Sequence, residues 1–198
     1  MVKTAYQQLE DRWRKMDAVA GAQSMLHWDM SAMMPAGGAD SRAEQLATLA
    51  TISHSMITDP AIPDLLDAAE ADPHLDAWQQ ANLREMRRGW VHSAAVDADL
   101  VEAMSRACSA CETTWRSARA DADFAAVLPK MQTVLDLTRQ MAAAKSEKLG
   151  VGLYDALLDQ YEPDGRAAAI EPVFADLKAF LPDFLDDVLS RQAAGPDR

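Results

Sequence analysis

Two cysteines stand three residues apart at Cys108 and Cys111, a C-x-x-C spacing that elsewhere holds zinc, haem or a redox disulfide. A structural zinc site needs a second ligand pair, and none is present at matching spacing. Haem attachment needs histidine after the second cysteine, where Glu112 stands, and a redox pair belongs at a strand-to-helix junction. Both thiols fall instead on the apolar stripe of a helical stretch, so packing in a core is expected for them. The histidines, His27, His54, His74 and His92, are scattered, with no H-E-x-x-H and no Glu-x-x-His pair. Glu70 and His74 share the right types, but Pro73 breaks any helix that would align them. No cofactor or metal site is therefore expected from this chain's own residues. A G-x-S-x-G elbow and a phosphate-binding G-x-x-x-x-G-K-[ST] loop are absent as well.

Two runs remain. The first is "WDMSAMMPAGG", Trp28 to Gly38, in which Pro35, Gly37 and Gly38 end one helix and permit a turn. Ser41-Arg42-Ala43-Glu44 behind it fits the capping box S-x-x-E, which predicts a new helix opening at Ser41. A competing reading makes this glycine-rich loop, with Arg42 beside it, an anion site at a helix N-terminus. Local chemistry favours the corner. The second run is "YDALLDQYEPDG", Tyr154 to Gly165, where Asp155, Asp159 and Glu162 step by four and three and so share one helical face. Like charges at that spacing repel, which predicts either a solvated face or a basic partner from outside the chain. The three carboxylates are expected to lie close together and at least partly exposed.

The elements that must hold these runs are helices. Apolar residues make up 49% of the 198 residues and aromatics only 6%, while Ala, Leu and Met abound, a composition that favours helix over sheet. Tyr6, Leu9, Trp13, Met16 and Ala20 mark a first helix, and Leu46, Leu49, Ile52 and Met56 a second ending near Pro60. Ile62 to Ala71 is a short third, and Leu75, Trp78, Leu83, Met86 and Trp90 outline a fourth. Asp97 is a good N-cap for a long helix striped with Leu100, Met104, Cys108, Cys111, Trp115 and Ala118, expected to pack antiparallel to a neighbour. Pro129 suits the first turn of the next, which Gly150 and Gly152 stop. Leu153 to Tyr161 reads as a short helix, Glu162 to Gly165 as a turn, and Ile170 to Gln192 as a last helix interrupted at Pro182. Residues 193–198 read as a polar tail. The fold class is all-α: one domain over 1–198, an antiparallel array of about seven to nine helices with no sheet.

The formal charge of −12 argues against nucleic acid and anionic membranes, which call for a positive field. No apolar run spans a bilayer, and the polar start Met1-Val2-Lys3-Thr4 shows no signal-peptide core, so the cytoplasm is expected.

Together "LHWDMSAMMPAGGADSRAEQLATL" and "YDALLDQYEPDG" resemble the N-terminal signatures of the M32, or carboxypeptidase Taq, family of zinc metallocarboxypeptidases, and "WQQANLREMRR" between them fits the family's style. The resemblance extends over most of the chain. It implies an all-α, cytosolic, commonly homodimeric enzyme that uses a divalent metal, zinc or another, to remove C-terminal residues from peptides along a groove flanked by helices. Motif membership carries over to Trp28, Asp29, Met34, Pro35, Gly37, Gly38, Arg42 and Gln45, and to Tyr154, Asp155, Leu158, Asp159, Tyr161, Glu162 and Pro163, as structural or groove-lining positions. Ala32, where the family tends to have Thr, and Asp164, where it has Gly, depart from the pattern.

The family's H-E-x-x-H and third ligand match no position here, so no catalytic residue carries over. The resemblance thus implies a fragment or truncated product without peptidase activity of its own, partnered by a second copy or by the absent catalytic portion. A stand-alone helical interaction module derived from the family is the alternative.

Overall fold

The computed structural model describes residues 3–193, and these form helices and turns with no strand. The all-α expectation holds, with eight α-helices among the described residues. They gather into two compact units that divide between Gly150 and Val151.

In the first unit, α1 (Ala5–Ala32) opens with a capping box: Thr4 accepts from the Gln7 amide, and the Gln7 side chain returns to the Thr4 amide. The short α3 (Ala61–Glu70) and the longer α4 (Ala77–Ala94) join it around a core of Tyr6, Leu9, Ile62, Leu66, Ala69, Leu83 and Met86. Leu9, Ile62 and Leu66 lose all contact with water, each contributing about 1.5–3 kcal/mol of burial. The Asn82 amide donates to the buried Tyr6 hydroxyl at 3.2 Å, so the one polar atom of that side chain is satisfied. Arg87 of α4 grips α3 through Glu70 at 2.9 Å and through Asp67, and lies over Trp90.

A second layer is built from α2 (Ala39–Ile57), α5 (Ala98–Ala120) and α6 (Phe124–Leu149), with α5 packed between the other two. Asp97 caps α5 as its sequence suggests, accepting from the Leu100 amide at 2.8 Å. A three-residue link, 121–123, joins α5 to α6, a length that makes them antiparallel neighbours. Gly150 ends α6 at φ +69°, the left-handed stop that glycine adopts without a Cβ penalty.

Three expectations about this unit are corrected. The capping box at Ser41 does not form: α2 already starts at Ala39, and Glu44 reaches instead to Arg106 of α5 at 2.7 Å. Pro129 lies inside α6, not in its first turn, because Asp123 caps the helix earlier by accepting from the Ala126 amide. Cys108 is exposed and Cys111 half-buried, so the pair is not core; on that helix Ser109 and Ala118 are the buried residues.

The second unit holds α7 (Leu153–Leu158) and α8 (Ala167–Ala193). The former ends earlier than Tyr161, and the latter runs without interruption through Pro172 and Pro182. Of the expected polar tail, residues 194–198 lie outside the described residues.

Candidate functional site

The corner between α1 and α2 is held by one side chain. Arg42, in the first turns of α2, pairs with Asp29 of α1 at 2.7 Å, donates to the Leu26 carbonyl at 2.7 Å, and bonds Gln45 through Nε at 3.0 Å. The planar guanidinium reaches all three because its donors diverge in a fixed fork. With 15% of its side chain exposed, Arg42 is largely enclosed by the pairs it makes. Arg116 of α5 donates to the Met30 carbonyl and pairs with Glu112. Two cations from other helices thus serve the C-terminal end of α1, which has no basic residue in its own last turn.

This arrangement bears on the two readings of the first run: Arg42 is engaged within the corner, which favours the joint. The turn forms at the glycines without a positive φ at either: Pro35 is extended, and the 3-10 turn Ala36–Gly38 leads directly into α2. Gly38 is small because Met34 lies over it, where a Cβ would stand 3.2 Å from the Met34 Cγ. Gly37 faces open space. Trp28 remains 57% exposed, alongside Met25 and Met33.

The second run is a joint too. Asp155 accepts from the Ala167 amide at 2.9 Å, capping the start of α8 from twelve residues away in the chain. Asp159 is buried, accepting from the Asp164 amide at 3.0 Å and from Arg166 at 3.1 Å. The expectation that all three carboxylates are at least partly exposed and meet a basic partner from outside the chain therefore fails at Asp159. Asp159 already has Arg166 of this chain, Asp155 has a backbone amide, and Glu162 alone of the three is exposed. The turn itself closes from the Gly165 amide to the Glu162 carbonyl at 2.9 Å, with Pro163 second and Asp164 third at φ +61°. The aromatic members of the run, Tyr154 and Tyr161, are exposed, as is Leu153.

Among the described residues no three His, Cys, Asp or Glu side chains converge as a metal site would require. His54 is spent on structure, its Nε2 lying 3.2 Å from the Ser93 carbonyl in the last turn of α4 and 2.7 Å from that of Val96 just past it. The residues present do not fit a catalytic zinc, which needs three protein ligands around an open position.

A protein-family model, the carboxypeptidase Taq (M32) metallopeptidase, matches residues 8–198. The chain belongs to the M32 family. It is similar to thermostable carboxypeptidase 1 of Thermus thermophilus, at 35% identity over 199 aligned positions, covering 94% of this chain and 39% of that protein. Among solved structures it resembles metallocarboxypeptidase 1 of Trypanosoma cruzi (30% identity, TM-score 0.80) and the carboxypeptidase of Pyrococcus furiosus (27%, 0.77). Each comparison covers 96% of this chain and 38% of the other. This M32 chain therefore spans about two-fifths of the length of the relatives it matches.

Sequence reasoning found most residues of both joints but missed their partners. Arg116 lies 86 residues from Met30, and Arg106 62 from Glu44, separations at which no local pattern signals contact. Arg166 lies seven residues beyond Asp159, across a turn, outside any helical spacing rule.

Proposed function

We propose that this chain is a helical, non-catalytic part of a metal-dependent carboxypeptidase that releases C-terminal residues from peptides. It forms one wall of the substrate groove, and the metal and the water-activating carboxylate are supplied by the rest of the fold. The observation that carries this reading is the family match over residues 8–198 in a chain where no metal-ligand group forms among the described residues. The zinc, the homodimer and the cytoplasmic setting implied by the sequence belong to that whole enzyme. No helix among the described residues is long and apolar enough to cross a membrane.

Apolar surface supports the same reading. No residue of α8 is buried, although Phe174, Leu177, Phe180, Leu181, Phe184 and Leu185 lie on it, with Phe180 stacked on Phe184 at 5.1 Å. On α6, Phe124, Leu128, Met131 and Leu135 are exposed at steps of four, three and four, a single helical stripe. Apolar faces of this extent mark surfaces that another part of a protein covers.

The test is a peptidase assay on the purified 198-residue chain with zinc, cobalt or manganese and a blocked peptide. No release of C-terminal residues is expected from the chain alone. Release is expected once a polypeptide carrying the remaining segment of an M32 relative is added. Metal-dependent release by the chain alone would overturn the division of labour. Tight association without any gained activity would instead favour the stand-alone interaction module.

A further inference from the structure

The sulfur-bearing face of α5 takes no part in either joint. Met104, Cys108 and Cys111 follow one another at steps of four and three, which brings all three onto one face of the helix. The Cys108 Sγ lies 3.7 Å from the Met104 Sδ. Cys111 follows Cys108 by three residues, one turn further along the same face. Neither cysteine is in a disulfide, and Cys108 is open to solvent. We propose that Met104, Cys108 and Cys111 form a binding site for a soft monovalent metal ion, copper(I).

Geometry and donor chemistry both select this ligand. A metal bound to three sulfurs at about 2.3 Å holds them about 4 Å apart, close to the separation already present between Met104 and Cys108. A disulfide fits less well. Helical neighbours at this spacing keep their Cβ atoms about 5–6 Å apart, whereas a disulfide needs about 3.8 Å. The α-helix therefore holds the pair as a dithiol that an ion bridges more readily than an oxidant closes. Two thiolates and a thioether are soft donors, and no imidazole or carboxylate completes a third hard position, so copper(I) is preferred over zinc. Binding converts both thiols to thiolates and releases two protons for one positive charge gained, so the loaded site carries one net negative charge.

The site shares no residue with the two signatures, so its fate is independent of the carboxypeptidase reading. The experiment is an anaerobic titration of the fully reduced chain with copper(I) buffered by bathocuproine disulfonate. It is read by loss of the chelator complex and growth of the thiolate-to-copper ultraviolet band, with zinc(II) as competitor. The expected result is one copper(I) withdrawn per chain and not displaced by zinc. Cys108→Ser and Cys111→Ser should each weaken binding by more than the roughly 10–100-fold typical of losing an outer-shell partner. Met104→Leu should weaken it by about 10-fold or more, and circular dichroism should show unchanged helix in each variant. Failure to compete with the chelator, displacement by zinc, or undiminished affinity in Met104→Leu would each overturn the three-sulfur site.

Discussion

Arg42 carries more of the α1–α2 corner than any neighbour, because one guanidinium serves a carboxylate, a carbonyl and an amide oxygen on two helices. A lysine there keeps the charge but offers a single compact donor group on a flexible stem. Arg42→Lys is therefore expected to destabilise the chain by about 1–3 kcal/mol, as for groups left without partners in partly buried surroundings. Urea denaturation would measure this, and a loss indistinguishable from zero would mean that the corner is held by packing alone. The opposite sign is expected at Asp164. The sequence marks this residue as a departure from a family glycine, and its φ of +61° explains the preference, since a Cβ is strained there. The side chain is 98% exposed, and its approach to Arg166 at 4.0 Å contributes little. Asp164→Gly should keep the amide bond to Asp159 and raise stability by up to about 1 kcal/mol, the usual range for relieving such a position. A lower thermal midpoint in that variant would show that flexibility gained by the unfolded chain outweighs the strain removed.

At the scale of elements, helix existence was legible because it rests on periodicity, and helix starts were less so because they rest on competing caps. Asp97 and Gly150 stand isolated at their boundaries and were read correctly. Ser41 and Glu44 have the capping-box spacing, yet the helix begins at Ala39, and Arg106 from α5 takes the Glu44 carboxylate, lowering its pKa chiefly through that hydrogen bond. The boxes that do form use Gln as the returning residue, at Thr4–Gln7 and Asp76–Gln79. This difference can be measured. Asp76→Ala should cost about 1 kcal/mol, the usual loss of an N-cap, whereas exposed Ser41→Ala should change stability by no more than about 0.5 kcal/mol. Equal losses in the two variants would restore Ser41 as a cap. The prolines show the same limit of local rules. Pro172 and Pro182 lie within α8, where each removes a backbone donor, and local sequence read the second as a break.

For the whole molecule, the family was legible from two short runs and the fold class from helical periodicity along the chain, while the distant contacts that close the joints were not. The −12 charge also sets how stability responds to acid. With 31 acidic against 19 basic side chains, the native chain repels itself at neutral pH, and taking up protons first relieves that repulsion. A second effect opposes it at lower pH. Asp11 is held below the ordinary carboxylate range chiefly by its hydrogen bond from Lys3, Glu44 by Arg106, and Asp59 first by the Ala61 amide and then by Arg12. A carboxyl whose pKa is lower in the folded state binds fewer protons folded than unfolded. Its contribution is therefore full above the ordinary value of about 4 and disappears as pH falls through the lowered one. At low salt, the thermal midpoint should rise modestly from pH 8 towards 5 and fall below about pH 4. Added salt should flatten the rise and weaken the Lys3–Asp11 and Arg106–Glu44 contributions, which come from exposed pairs. The Asp59 contribution should persist in salt, because its largest partner is a backbone amide at 2.8 Å, and Asp59→Asn should remove it. Thermal melts of the parent and Asp59→Asn across this pH range at two salt concentrations would decide the matter. A midpoint that falls steadily from pH 8 downward would mean that lost pairs outweigh relieved repulsion throughout.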